Sequence, residues 1–444
     1  MSEPTVSQRD AASTLFNLPG YRVIDAVDIV GGSRRVLVVS TEPPGCPGCG
    51  VISTRVHQRT RQRVGDVPVA GAVEVIWCKR RWICAEDLCA KATFAESTIE
   101  VPARARSTVR LRHALVAAVV TSGRAVSETA RAYGVSWWAV QTALTAALLV
   151  LPEVCDTVVT RLGIDEHRYR SVRYFRTPTG GWRRFEPGGT SRSRGRMSTI
   201  VDVTTGQVLG VVDGRDSAGV GAWLQARPTS WLDQVEVVAI VPREREVPPP
   251  SAAFRKALRT HLPCAAVSVD PFHLVKLAND TLTKVRQRLS HDHKGRRGRL
   301  VDPAWANRKL LLRGADTLSE HGWDRLEQVL RTDDPTCELG AAWGIKEQLR
   351  RLLKTTTLAD AHEAKMLLGH YVQVADMPET DRLWNTICVW WTEIEVLIVT
   401  GVTNARTEAA NTGIKHLKRT GRGFRNSDNY RARILLSSAA RRAA

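Results

Sequence analysis

The chain has 444 residues, 43% hydrophobic and 25% charged, which excludes a disordered protein and allows several domains around a large core. With 64 Lys and Arg against 45 Asp and Glu, the net charge is +19, so the expected partner is a polyanion, most simply nucleic acid. No apolar run nears the ~20 residues of a membrane span, and the opening MSEPTVSQRDAAS lacks a signal peptide's apolar stretch. The expected compartment is therefore a bacterial-type cytoplasm and no membrane partner is expected. Nine cysteines there point to metal binding or free thiols rather than disulfides.

Tyr21–Val30 and Arg34–Ser40 alternate apolar and polar residues around Gly31-Gly32, the pattern of a β-hairpin. Cys46-Pro-Gly-Cys49, a strand over Val73–Cys78, and Cys84-Ala-Glu-Asp-Leu-Cys89 follow. Four thiolates in two close pairs can close a tetrahedral zinc site, with Cys78 as a competing ligand and unrelated thiols as the bland reading. Lys79, Arg80, Arg81 and Lys91 would bring such a site near phosphate. Arg104, Arg106, Arg110 and Arg112 lead into an apolar helix over Leu111–Thr121. Between Val126 and Val140 a short helix, a turn at Gly134, an N-cap at Ser136 and a second helix make the helix-turn-helix pattern, which any glycine-containing helical hairpin can imitate. Ala130 would sit at the helix crossing and Val126, Val135 and Val140 in the core. Ser136, Trp137, Ala139, Gln141 and Thr142 would face a groove.

A strand over Val158–Ile164 ends in Asp165-Glu166-His167; Met197–Val203, Val208–Val212 and Val235–Val241 read as further strands, with the basic loop Arg168–Arg196 among them. Ala265–Val269 is another, ending in Asp270-Pro-Phe-His273. Taken alone, an aspartate in either place is equally a turn or cap residue. Ser290–Leu300 reads as a basic loop, and Pro303–Val399 as helical, with Trp305, Trp323, Trp343, Trp384, Trp390 and Trp391 as core. Phosphate-loop, dinucleotide and Ser-His-Asp motifs are missing.

The stretch Val402–Leu435 carries the densest pattern. Thr403 or Asn404 can cap a helix on which Glu408, Asn411, Lys415, Lys418, Arg419 and Arg422 share one face, and Ala410, Ile414 and Leu417 the other. A carboxylate heading a row of cations can hold a metal ion while the cations grip phosphates; a solvated amphipathic helix is the simpler reading.

These motifs together resemble the bacterial insertion-sequence transposases of the ISL-three family. The matching residues are the two cysteine pairs with Arg80, Arg81 and Trp82 before Cys84, the Gly-Ile-Asp-Glu string at Asp165, and Asp270-Pro-Phe-His273. Asn404, Glu408, Lys415, Lys418, Arg419, Phe424, Arg425, Asn426, Tyr430 and Arg431 complete the set. The resemblance implies a multidomain α/β chain: a β-rich zinc ribbon (1–100), a helix-turn-helix (101–155), and a ribonuclease H-like mixed sheet (156–280) interrupted by a helical insertion (281–400). A C-terminal catalytic helix with a basic tail (401–444) would close it. It implies a DDE-type transposase in which Asp165, Asp270 and Glu408 hold magnesium or manganese, and Cys46, Cys49, Cys84 and Cys89 hold zinc. Ser136, Trp137, Gln141, Lys415, Lys418, Arg419 and Arg425 would contact double-stranded DNA, both terminal inverted repeats and target. A homo-oligomer on DNA and a nucleoid-associated cytoplasmic location follow. One departure stands out: the family's strand over Val235–Ile240 should end in an acid, and Val241 stands there, with Glu244 and Glu246 nearby. Either Asp270 is the second ligand, or the chain is a decayed or repurposed copy acting as a non-catalytic DNA-binding protein.

Overall fold

Gly31 and Gly32 adopt φ of +96° and +77°, the left-handed conformations a tight hairpin needs and glycine tolerates. They join β1 (Tyr21–Ile29) to an antiparallel β2 (Ser33–Ser40), preceded by a short α1 (Ala11–Phe16). These elements belong to a computed structural model that describes residues 10–171, 173–185, 195–214, 217–241 and 250–443. The sheet continues through β3 (Val56–Val64), β4 (Val73–Ile83) and β5 (Thr93–Ala95) in the order β1-β2-β4-β3, with β5 on the other part of β4. The strand expected to stop at Cys78 runs on to Ile83, because Lys79 to Trp82 pair with β3 and Arg81 to Ile83 with β5. Val36, Val38, Val64, Val75 and Trp77 form its core.

Thr108 caps α2 (Val109–Val120), its hydroxyl accepting from the Leu111 N–H at 3.1 Å. A short α3 (Val126–Ala132) follows, then Gly134 at φ +63°, then α4 (Trp137–Leu148), capped by Ser136 through the Ala139 N–H at 3.1 Å. Leu111, Leu115, Val119, Ala130, Val140 and Leu144 make one buried cluster, with Val126 and Val135 packed against it.

Pro152 opens a second compact unit, Pro152–Lys415; the first comprises Met1–Leu151 with His416–Ala444. Its chain runs β6 (Arg161–Arg168), the hairpin β7 (Arg173–Arg176) and β8 (Trp182–Phe185), β9 (Arg196–Asp202), β10 (Val208–Asp213), α5 (Ser217–Gln225), α6 (Thr229–Leu232), β11 (Val237–Ile240), α7 (Pro250–His261) and β12 (Ala266–Val269). The main sheet has the order β10-β9-β6-β11-β12. β6, β9 and β10 pair antiparallel, whereas β6, β11 and β12 pair parallel, with Ile164 opposite Ile240 and Ile240 opposite Val269. The strand expected over 158–164 begins at Arg161 and carries Asp165 inside it: pairing with β11 stops at Ile164, but pairing with β9 holds Asp165 to Arg168 extended. Leu162, Ile164, Val238, Ile240 and Val269 turn one sheet face into the largest core, with Leu224, Phe254 and Leu258. Alternation puts Gly163, Asp165, Ala239, Ser268 and Asp270 on the opposite face. The segment after Val241, with Glu244 and Glu246, and residues 172 and 186–194 of the basic loop before Arg196 lie outside the described residues.

Asp270 and Pro271 start α8 (Pro271–Lys294), which runs on through the expected loop at Ser290 and stops only at Gly295, φ +60°. Leu282, Val285 and Leu289 explain that length, since they bury the far half of the helix in a second core. Around it lie α9 (Pro303–Ala306), α10 (Arg308–Leu311), α11 (Glu320–Asp333), α12 (Glu338–Leu352), α13 (Leu358–Ala375), α14 (Pro378–Val389) and α15 (Trp391–Thr400). Of the tryptophans expected in the core here, Trp390 is buried, whereas Trp323 is 39% exposed, edge-on to Trp343. The chain closes with α16 (Ala405–Thr420) and α17 (Ser427–Ala443). α17 packs Leu436 into the α2–α4 cluster, and Arg433 donates to the carbonyls of Val119 and Arg124. Among the described residues no helix is long and apolar enough to cross a membrane.

Candidate active site and metal centres

The approach of α16 to β6 starts from a missing side chain. A Cβ on Gly163 would fall 2.0 Å from Thr407 Oγ1 and 2.7 Å from Asn404 Oδ1, so the helix lies against bare strand backbone. Asn404 is buried and turns its amide to the strand, donating to the Ile164 carbonyl at 3.3 Å. Two turns further, Asn411 donates from Nδ2 to Asp165 Oδ2 at 2.8 Å. Asn411 Oδ1 accepts from Thr199 Oγ1 at 2.9 Å, and Thr199 Oγ1 lies 2.8 Å from His167 Nδ1. Since the hydroxyl proton goes to Asn411, His167 must donate from Nδ1 to Thr199. Asn411, placed by the helical wheel among the cations, is thus 3% exposed and tied to the first acid. Thr199 stands on β9 with no motif around it, so sequence reading missed it; Asn411 carried only the signal of its spacing from Glu408.

Asp270, His273 and Glu408 meet on the same side. One ligand atom from each lies within 4.8 Å of the other two, and His273 Nδ1 is 3.4 Å from Glu408 Oε1. The first turn of α8 sets His273 beside Asp270. Asp270 is 2% exposed; its Oδ1 accepts from the Phe272 N–H at 2.9 Å, and its Oδ2 has no partner among the described residues. Burial pushes the Asp270 carboxyl above its usual range, against the pull of the Phe272 and Asn404 backbone N–H groups. Burial also raises Glu408, followed by repulsion from Asp270 and Asp165, with Lys415 and Lys276 opposing. An orphaned buried carboxylate oxygen beside a second carboxylate and an imidazole fits a divalent cation, which would remove that repulsion and fill the vacant bond. Asp165 is not in the three-residue group, yet its charge reaches Glu408. Val241, next in register between Asp165 and Asp270, is buried at 5% exposure.

A second cluster joins Cys46, Cys49, Cys84 and Cys89. Cys46 Sγ lies 3.9 Å from Cys89 Sγ, and Cys49 Sγ 3.6 Å from Cys84 Sγ. Tetrahedral zinc with four thiolates needs sulfurs about 3.8 Å apart. The Gly48 and Lys91 N–H groups point at Cys46 and Cys89 sulfurs, both at 3.5 Å, and the Gly48 contact leads in drawing the Cys46 thiol down to about 7. Cys78 stands outside the group. Among the cations expected near phosphate, Arg80 is engaged by Glu96 and the Ser40 carbonyl, and Arg81 by Thr93.

The expected DNA-contacting residues are spread over several surfaces. Trp137 is 39% exposed at the start of α4, edge-on to Trp138, while Ser136 is occupied as its cap. Gln141 donates to Asn429 Oδ1 of α17 at 3.0 Å. Lys415, Arg419 and Arg425 are exposed, and Lys418 is half-buried.

Comparison with known proteins gives the family. The profile of a transposase family, the DDE transposases of the ISL-three group, matches residues 189–434. A second profile, the zinc-finger of transposases IS204, IS1001, IS1096 and IS1165, matches residues 42–89 and so takes in all four clustered cysteines. The transposase for insertion sequence element IS1001 of Bordetella parapertussis is 23% identical over 439 residues, covering 96% of this chain and 97% of that one. The chain belongs to the ISL-three family of transposases. The cysteine cluster and the family together support structural zinc, and the family implies a divalent metal.

Proposed function

We propose that this protein binds the terminal inverted repeats of an insertion sequence and catalyses divalent-metal-dependent cleavage and transfer of DNA strands. The observation that carries the reading is the convergence of Asp270, His273 and Glu408, with Asp165 held at the same helix by Asn411. The order β10-β9-β6-β11-β12, antiparallel then parallel, supports a ribonuclease H-like core interrupted by the helices from α8 to α15. Asp165, Asp270 and Glu408 would hold magnesium or manganese, with His273 beside them; when bound, such ions activate the attacking hydroxyl and stabilise the leaving oxygen. The chain's own part is to keep the carboxylates aligned and to neutralise phosphate. Asn411 fixes Asp165, the α8 backbone fixes Asp270, and Lys415, Lys418, Arg419 and Arg425 carry charge for the DNA backbone. The α3–α4 hairpin, with Trp137 at its exposed start, is suited to end recognition as a helix-turn-helix, and pairing two ends calls for a homo-oligomer on DNA. The non-catalytic alternative rests on the missing acid at Val241; the place of Asp270 on the same sheet face supports the catalytic reading over it.

The test is strand cleavage of DNA carrying an element end by Asp165→Asn, Asp270→Asn and Glu408→Gln variants. Each should lose magnesium-dependent cleavage while binding DNA as tightly as wild type or slightly better, because a negative charge near phosphate has gone. Undiminished cleavage by Asp270→Asn would remove it from the ligand set.

A further inference from the structure

Arg286 is the anomaly of the helical region. It sits on α8 in the second core, only 7% exposed. Its guanidinium has no hydrogen-bond acceptor and no carboxylate partner among the described residues. Burial lowers its affinity for a proton, and repulsion from Arg308 and Arg297 lowers it further. Buried arginines ordinarily sit against an acid, because an unpaired buried charge is strongly destabilising. The nearby acids are already taken. Lys294 Nζ lies 2.5 Å from Asp333 and 3.2 Å from Asp302, Arg296 is 2.7 Å from Asp302, and Arg288 bridges Glu338 and Glu379.

Arg286 lines a cavity of about 220 Å³ together with Ser290, His293, Lys294, Arg331 and Thr332. Its one lining carboxylate, Asp333, is held by Lys294 and by the Ala304 N–H at 2.9 Å. The volume is about seven waters' worth at ~30 Å³ each, room for a tetrahedral anion and part of its hydration. The Arg286 guanidinium, with Arg331 across the same space, matches phosphate oxygens; the Ser290 and Thr332 hydroxyls donate to the Arg286 and Gln328 carbonyls and Lys294 to its two acids, so they line the space without supplying its donors. We propose that this cavity, built on Arg286, is a binding site for a phosphate group, separate from the carboxylate centre. Along α8 it lies 16 residues beyond Asp270, about 24 Å at 1.5 Å per residue. A DNA strand covers that distance in about seven phosphates at 3.4 Å each. A backbone phosphate and a free phosphate anion share the same chemistry. The DNA source rests on the proposed function; the anion site does not.

Two measurements on the full-length protein separate the sources. The first is thermal unfolding in inorganic phosphate against chloride at matched ionic strength, for wild type, Arg286→Gln and the exposed Arg331→Gln. The wild-type melting temperature should rise with phosphate, Arg286→Gln should lose the rise, and Arg331→Gln should show a smaller one. In chloride Arg286→Gln should melt no lower than wild type, since it removes an unpaired buried charge, whereas a structural role would lower it. The second is the salt dependence of DNA binding, where Arg286→Gln should reduce the log–log slope by about one if the ligand is a backbone phosphate. A phosphate response that Arg286→Gln abolishes, with an unchanged DNA slope, assigns the site to a free anion. Phosphate responses and slopes identical in all three proteins overturn the proposal. If Arg286→Gln does not fold, Arg331→Gln decides alone: a wild-type phosphate response and slope sink it.

Discussion

Gly163→Ala tests whether the contact between β6 and α16 sets the active-site geometry. The new methyl carbon would lie 2.0 Å from Thr407 Oγ1, 2.7 Å from Asn404 Oδ1 and 2.9 Å from Val203 Cγ2, where ordinary contact begins at 3.4 Å. Thr407 and Asn404 are fully buried and have no free side to turn to. Relief therefore requires α16 to lift by roughly 1 Å or more, against the hydrogen bond from Asn404 to the Ile164 carbonyl. Overpacking of this kind costs ~1–3 kcal/mol of stability, and a displacement near 1 Å at reacting groups costs ~100-fold in rate. Glu408 and Asn411 ride on the displaced helix, so cleavage should fall far more than folding does. Urea unfolding and single-turnover, magnesium-dependent nicking of end-containing DNA measure the two losses side by side. Thr407→Ala supplies the complement. Its hydroxyl has no partner among the described residues, so the single variant should be close to wild type. The double variant should recover part of the rate, the 2.0 Å contact having gone while those to Asn404 and Val203 remain. Wild-type cleavage by Gly163→Ala would refute the argument, because it would mean that the helix can lift without moving the acids.

Asp270 and Glu408 both carry carboxyl pKa values raised above their ordinary range, so folding takes up protons there. The penalty is fully present above the folded pKa and fades as pH falls through it. Metal-free Asp270→Asn should accordingly melt higher than wild type at pH 7, with the gap closing toward acid pH. A variant that melts lower at every pH would contradict this, since asparagine still caps α8. Asn411→Ala should lower cleavage by ~10–100-fold with DNA affinity intact, as expected of a group that orients a ligand; an equal loss in binding would point to a folding defect instead. Purified protein should carry zinc that each of Cys46→Ser, Cys49→Ser, Cys84→Ser and Cys89→Ser reduces, measured by elemental analysis, whereas Cys78→Ser should leave it unchanged. Gln141→Ala breaks the bond to Asn429 and should relax base preference in footprints of the element's ends. Equal weakening on all DNA sequences would make Gln141 a packing residue.

The sequence exposed what is local. Gly31-Gly32, the N-cap at Ser136 and the paired cysteines are short-range signals, and the elements they announce are present. It hid what depends on pairing. β3, VHQRTRQRV, reads as a polar run and becomes a strand only because β4 lies beside it. α8 looked finished at Ser290, but its far half is kept helical by a core made with α11 and α12, which lie far along the chain.

The second acid depends on such pairing too. A strand ending in valine looked like a lost ligand because sequence order cannot say which strand ends lie side by side. Parallel register aligns Ile164, Ile240 and Val269, so Asp165, Val241 and Asp270 are successive positions across one edge of the sheet. Val241 is the middle one, and it is buried. A carboxylate there would lie between two others, in a place where burial first, and repulsion from Asp270 and Asp165 second, already raise Glu408. Val241→Asp should therefore destabilise the metal-free protein at neutral pH, and added magnesium should restore more of that loss than it adds to wild type. Equal magnesium responses in the two proteins would put position 241 outside the metal's reach and leave Asp270 alone on this edge to face Glu408.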